Sequence, residues 1–142
     1  MYGSLEISTS GMVAQRTRLE VAAANMANKD AVLDSSGRVN PYRARHVMFE
    51  PGDPTALTPE GRLLGVHVAQ IDVSQGPPNY KYEPDSPYAI KQGKMTGYVP
   101  YPDINLVQEQ INGMEAARAY EANVNVAEAT KSMMAQALRL IA

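Results

Sequence analysis

Apolar residues recur at helical spacing near the start of the chain, from about residue 4 to residue 28. The largest of them repeat every seven residues and are Leu5, Met12, Leu19 and Met26. This repeat favours coiled-coil-like packing, although the residues three positions later are small or polar and make a weak seam for a simple dimer. The pattern predicts a helix about 37 Å long. Asn28 is expected to end it, because Asn tolerates the left-handed backbone of a helix end.

A second apolar pattern runs from about residue 104 to residue 141, and predicts a helix of about 57 Å. Gly113 is expected to weaken or bend this helix near its start. Two heptad series lie side by side in it. The first series is Tyr120, Ala127, Met134 and Ile141, supported by Val124 and Leu138. The second series is Ala119, Val126, Met133 and Leu140. Since the first helix can cover only one stripe, the chain is expected to oligomerise or to join a larger bundle.

The middle of the chain follows a different pattern. All ten prolines lie between Pro41 and Pro102, where apolar residues alternate over short runs. Such runs, bounded by Pro and Gly, predict β-strands. The predicted strands span residues 42–49, 63–73, 80–83 and 95–99. The expected fold is therefore α+β, with long N- and C-terminal helices forming a coiled-coil-like pair and a small antiparallel β-rich middle domain. The expected segments are an assembly helix at 1–30, a Pro/Gly-rich β and loop domain at 31–102 and a second assembly helix at 103–142.

Two other architectures fit the same pattern. One is an ordinary helical hairpin packed on the middle segment, as in a soluble adaptor. A helix of about 57 Å would, however, overhang a body of about 70 residues, whose diameter is on the order of 25–30 Å. The other is a peripheral membrane module, suggested by Arg16 and Arg18. Glu6 and Glu20 balance those charges, whereas anionic lipid binds segments with a basic excess.

Composition excludes several classes of protein. The chain has no cysteine, which excludes disulfides and Cys-based metal centres. The formal net charge is −2 without a basic run, unlike that of a nucleic-acid-binding protein. The chain has no apolar stretch of about 20 residues, so no direct membrane insertion is expected. The first residues also lack the basic and apolar regions of a cleaved signal peptide.

Candidate chemistry is sparse. His46 and His67 are the only imidazoles, and they lie on different predicted strands without a carboxylate cluster at ligand spacing. None of the glycines forms a phosphate-binding loop, and no serine has the context of an activated nucleophile. We therefore expect neither an enzyme nor a metal or cofactor site.

Several motifs resemble those of one known family. The first helix contains Ser8, Gly11 and Met12 and closes on the run Ala23–Asn28, which matches an Ala-x-Asn-x-Ala-Asn motif. The middle contains Tyr82–Ala89 (YEPDSPYA) and Gly-Tyr-Val at 97–99, and the second helix contains Glu115–Val124 (EAARAYEANV). In this combination the chain resembles flagellar basal-body rod proteins, and most of all those of the proximal rod.

The resemblance implies a structural subunit of the flagellar rod that transmits torque through helix packing. It implies neighbours that are other rod proteins and copies of the same chain. It also implies export by the flagellar type III apparatus, without a cleaved signal peptide, to the periplasmic part of the basal body. Asparagines of the helices are expected to hydrogen-bond between helices and fix their register. The expected assembly interface consists of Leu5, Met12, Leu19, Asn25, Met26, Asn28, Tyr120, Asn123, Val124, Val126, Met133, Met134, Leu138 and Ile141.

Overall fold

The computed structural model describes residues 2–141, apart from the side chain of Ile141. The elements are α1 (Tyr2–Ala27), β1 (Arg45–Pro51), α2 (Pro59–Leu64), β2 (Val66–Val73), β3 (Asn79–Tyr82), β4 (Tyr98–Tyr101) and α3 (Leu106–Ile141). The predicted α+β class is confirmed, since two long terminal helices enclose a middle made of short antiparallel strands.

Side-chain caps lie at the end of α1 and at the start of α3. Asn28 follows the last residue of α1, and its Nδ2 donates to the carbonyl oxygen of Ala24 at 2.8 Å. The predicted left-handed conformation at Asn28 is wrong, because positive φ among the described residues occurs only at glycines. At the start of α3, Oδ1 of Asn105 accepts from the backbone N–H of Val107 at 3.1 Å, as an N-cap does. The helix then continues through Gly113 without a break.

The strands form two separate two-stranded sheets. β1 pairs with β2 in antiparallel register from Arg45 opposite Val73 to Pro51 opposite Val66, with a bulge between Met48 and Phe49. β3 pairs with β4, also antiparallel. Two-stranded sheets are marginally stable by themselves, and contacts with a long helix support the sheet of β1 and β2. β1 and β2 both contact α1.

A short helix occupies part of a predicted strand. The strand predicted at 63–73 begins only at Val66, because the residues before it form α2. The hydroxyl of Thr58 accepts from the N–H of Gly61, and Pro59 occupies the first helical turn. A Thr-Pro pair is typical of the start of a helix, and the strand prediction did not take it into account.

The core is built mainly of small residues. The buried apolar residues are Ala14, Ala22, Val32, Ala44, Ala56, Val99, Ala116 and Ala127. Small side chains bring helices close together but bury little apolar area each. The solvent-accessible surface is 9727 Å². A compact monomer of this mass would expose about 7,200 Å², so the chain exposes about a third more surface than a compact monomer would.

Candidate assembly surface

The two long helices pack against each other in antiparallel register. A Cβ atom on Gly11 would lie 2.9 Å from Nδ2 of Asn123, so the backbones come close at this glycine. Cδ1 of Leu19 lies against Gly113. The seam therefore runs from the start of α1 beside the second half of α3 to the end of α1 beside the start of α3.

In the buried seam, Ser8 and Ala22 lie at the companion positions predicted three residues after the large ones, whereas Gly11 and Asn25 lie one residue before Met12 and Met26. The α1 side of the seam is made of small and polar residues, which are Ser8, Gly11, Ala22 and Asn25. Its α3 side has the same character and consists of Glu109, Gly113, Ala116, Ala127 and Thr130. The predicted residues Leu5, Met12 and Met26 are half-buried beside the seam, and Leu19 is 39% exposed. Small residues fill the seam because they permit close approach, which leaves the larger apolar side chains on its flank.

Asn25 joins three elements of the chain. Its Nδ2 donates to Oε2 of Glu109 on α3 at 3.1 Å and to the carbonyl oxygen of Arg45 at 2.8 Å. Its Oδ1 accepts from the N–H of Arg45 at 3.0 Å and from the hydroxyl of Tyr42 at 3.1 Å. These four bonds use the full capacity of the amide. The interhelical hydrogen bond expected of Asn25 thus lies within one chain, in a fully buried position.

The other predicted asparagines bond within their own helices. Nδ2 of Asn123 donates to the carbonyl oxygen of Ala119 at 2.9 Å, in the same i to i−4 pattern as Asn28. Asn123 nevertheless faces α1, since it lies beside Gly11. Asn123 fills space in the seam, whereas Asn25 hydrogen-bonds across it to Glu109, as Arg18 does to Glu115 at 2.9 Å.

The last quarter of α3 extends beyond α1. The register that places Gly11 beside Asn123 places Tyr2, the first described residue of α1, near residue 132. About nine residues, 133–141, therefore have no α1 residue beside them in the described chain, over a length of about 13 Å. We call residues 133–141 the overhang.

The second apolar stripe predicted on α3 lies on the protein surface. We call Val126, Met133 and Leu140 the outer stripe, and they are 52%, 58% and 88% exposed. Of the other predicted residues, Tyr120 and Leu138 are exposed, while Val124 and Met134 are half-buried. Ile141 ends α3, and its side chain lies outside the described part of the chain.

A further exposed apolar cluster was not predicted. Val107, Ile111 and Met114 lie on one face of α3 near its start, and each is substantially exposed. Their i, i+4, i+7 spacing is a helical stripe. The spacing of these residues is visible in the sequence, but the two predicted heptad series begin at residues 119 and 120 and do not include them.

A groove runs along α1 on the side of the middle segment. We call it the α1 groove, and it has a volume of about 680 Å³ between α1, the loop at 53–57 and β2. Its lining includes Tyr2, Glu6, Val13, Asp53, Leu57 and Val68. Tyr2, Val13 and Leu57 are largely exposed, so the groove presents apolar surface to solvent.

Two carboxylates give the groove negative charge. The hydroxyl of Thr58 donates to Glu6 and lowers the pKa of that carboxyl, helped by the N–H groups of Leu57 and Thr58 and opposed by partial desolvation. The hydroxyl of Thr55 donates to Asp53 at 2.6 Å and likewise lowers its pKa. Both groups are therefore charged at neutral pH.

Another cluster of titratable side chains lies on the second sheet. Nζ of Lys81 is 2.6 Å from Oε1 of Glu83, and the hydroxyl of Tyr101 donates to Oε2 of Glu83. The bond to Glu83 raises the pKa of Lys81, and the bonds from Lys81 and Tyr101 lower the pKa of Glu83. These bonds tie β3 to β4. Within residues 2–141, no three His, Cys, Asp or Glu side chains are grouped as metal ligands.

Comparison with known proteins assigns both helical arms to one group. Residues 5–32 match the family model of the flagella basal body rod protein. Residues 95–140 match the model of the flagellar basal body rod FlgEFG protein C-terminal. The two matched ranges contain most of α1 and almost all of α3, the elements that form the seam.

Relatives resemble the chain over nearly its whole length. It is 41% identical to the flagellar basal-body rod protein FlgC of Escherichia coli O6:H1 over 135 residues, which cover 95% of this chain and 93% of the relative. Identity is 40% to the FlgC protein of Salmonella typhimurium, with the same coverage. For the FlgC protein of Borreliella burgdorferi, identity is 35% over 99% of this chain and 97% of the relative. The chain therefore belongs to the FlgC family of flagellar basal-body rod proteins.

Proposed function

We propose that the chain is a structural subunit of the proximal rod of the bacterial flagellar basal body. It transmits torque through helix packing with copies of itself and with other rod proteins. It reaches the periplasmic part of the basal body through the flagellar type III export apparatus. The relatives are named as rod proteins and not as enzymes, and the chain itself has no enzymatic role.

One observation carries the mechanical part of the proposal. The long helix α3 presents the outer stripe to solvent along its second half, where α1 covers a neighbouring face and then ends. Three large apolar side chains at seven-residue spacing form a surface that a second helix can cover. A monomer leaves this surface in water, whereas a bundle of subunits buries it.

Family membership favours a rod subunit over the soluble adaptor and the peripheral membrane module. No described helix is long and apolar enough to cross a membrane. The exposed residues of α1 include the ion pair of Arg16 with Glu20, with 2.9 Å between Nε and Oε1. This pairing neutralises a positive charge that a binding site for anionic lipid would use.

Gene deletion and complementation test the proposal. Cells that lack the chain are expected to lose motility, and cells that regain it on a plasmid are expected to swim and to contain the chain in purified basal bodies. Cells without a functional flagellar export apparatus are expected to retain the chain in the cytoplasm. A chain that is absent from purified basal bodies of swimming cells would contradict the proposed function.

A further inference from the structure

The overhang of α3 is an apolar and basic helix end. Met133, Ala137 and Leu140 follow i, i+4, i+7 spacing and so share one face. Lys131 and Arg139 are the only charged side chains between residues 129 and 142. Because α1 ends before this segment, nothing in the described chain pairs with that face as α1 pairs with the first part of α3.

The α1 groove has the complementary character. Val13 and Leu57 supply exposed apolar surface, and Glu6 and Asp53 supply negative charge. Among the described residues that line the groove there is no lysine or arginine. An amphipathic helix binds in such a groove through apolar anchors at i, i+4 and i+7, and Arg139 of the overhang would meet the acidic residues of the groove.

The dimensions also agree. The groove is lined by α1 residues from Tyr2 to Thr17, a helical length of about 22 Å. The overhang extends for about 13 Å and fits within that length. We propose that the overhang of one copy of the chain binds in the α1 groove of a neighbouring copy. This contact is one interface within the proposed rod, and the inference rests on the proposed function.

The proposed contact generates an open assembly. The overhang and the groove are different surfaces, so each copy that joins through one of them leaves the other free. Heterologous contacts of this kind produce helical filaments unless the rotation closes a ring. A rod requires that property, and a self-complementary contact between two overhangs would lack it.

Disulfide trapping tests the contact, because the chain has no cysteine of its own. Val13→Cys and Leu140→Cys are introduced into two separately tagged copies, which replace the native chain in cells. Val13 lies near residue 121 in the register of the seam, so Leu140 is about 28 Å further along α3 in the same chain. A disulfide needs Cβ atoms about 4 Å apart and can form only between copies.

A matched control pairs Val107→Cys with Leu140→Cys. Val107 is 62% exposed and Val13 is 61% exposed, but only Val13 lines the groove. We expect purified basal bodies to contain several-fold more disulfide-linked dimer with the groove pair than with the control pair. Thr17→Cys provides a second groove position if the Val13 variant does not assemble.

A charge reversal gives an independent readout. Arg139→Glu is expected to lower the yield of the groove dimer, because it places a carboxylate near Glu6 and Asp53. Arg118→Glu makes the same change on α3 outside the overhang and is expected to leave the yield unchanged. Equal yields from groove and control pairs, with both variants present in basal bodies, would overturn the contact and leave the proposed function standing. A chain that never enters basal bodies would refute both.

Discussion

At the scale of single residues, Asn25 makes the largest set of contacts between elements. Its amide holds β1 through both backbone groups of Arg45 and holds α3 through Glu109. Glu109 is only 7% exposed, and the amide donates to its carboxylate. An asparagine in this position therefore satisfies a buried charge as well as fixing the register of the helices.

Asn25→Ala is expected to lower the free energy of unfolding by about 3 kcal/mol or more, because it leaves a buried carboxylate without its donor. Asn25→Asp keeps the shape but places a second carboxylate beside Glu109, so it is expected to destabilise the chain as well. Urea unfolding followed by circular dichroism measures both. Asn28→Ala is the control, since it removes one hydrogen bond and is expected to cost about 1 kcal/mol. Equal losses for Asn25→Ala and Asn28→Ala would contradict the proposed role.

At the scale of elements, the sequence was sufficient to predict the helices and most of the strands but not the phase of the seam. Heptad spacing is visible in the large residues Met12 and Met26, which fall beside the seam. Gly11 and Ala22 form it, because close approach of two backbones selects small residues. Hydropathy alone does not distinguish a small residue in a tight seam from a small residue in solvent.

The placement of α2 depends on a contact that no local pattern reveals. Glu6 of α1 accepts from the hydroxyl and the N–H of Thr58, the residue that caps α2. These residues are 52 positions apart in sequence. We call this contact the joint between α1 and α2. The α1 groove lies beside it, so neither the residues that line the groove nor its charge could be predicted from the sequence, although the apolar stripes of α3 could.

The joint between α1 and α2 is expected to weaken in acid. The folded chain lowers the pKa of Glu6 from its usual 4.5, so the resulting stabilisation is present above that pH and is lost as pH falls through the folded pKa. Glu6→Gln is therefore expected to lower the free energy of unfolding near neutral pH and to differ less from wild type near pH ~3. Urea titrations at several pH values measure this difference.

Glu20→Gln serves as the control for that experiment. Glu20 lies on the same helix and pairs only with exposed Arg16, and surface pairs of this kind contribute little to stability. A Glu6→Gln variant with the same pH profile as wild type would show that the carboxylate does not stabilise the joint.

At the scale of the whole molecule, the exposed apolar side chains form different surfaces at the two ends of α3. The overhang and the outer stripe lie toward one end of α3, and Val107, Ile111 and Met114 lie toward the other. Each end of the molecule thus presents a different apolar surface. Different surfaces at opposite ends allow copies to add in one direction, whereas an enzyme or an adaptor has no need of that arrangement.

Met133→Glu tests whether the outer stripe is buried by a neighbouring subunit. Met133 is 58% exposed in the single chain, so a carboxylate there remains hydrated and is expected to leave expression and folding unchanged. Burial of the same carboxylate in an apolar contact between subunits is costly. The variant is therefore expected to be absent from basal bodies and to fail to restore swimming. Asn125→Asp adds the same charge at an exposed position of α3 outside both the stripe and the overhang and is expected to assemble. Because both variants change the net charge equally, a loss of swimming in the first alone identifies the stripe as an interface, and normal swimming with Met133→Glu would show that no subunit covers it.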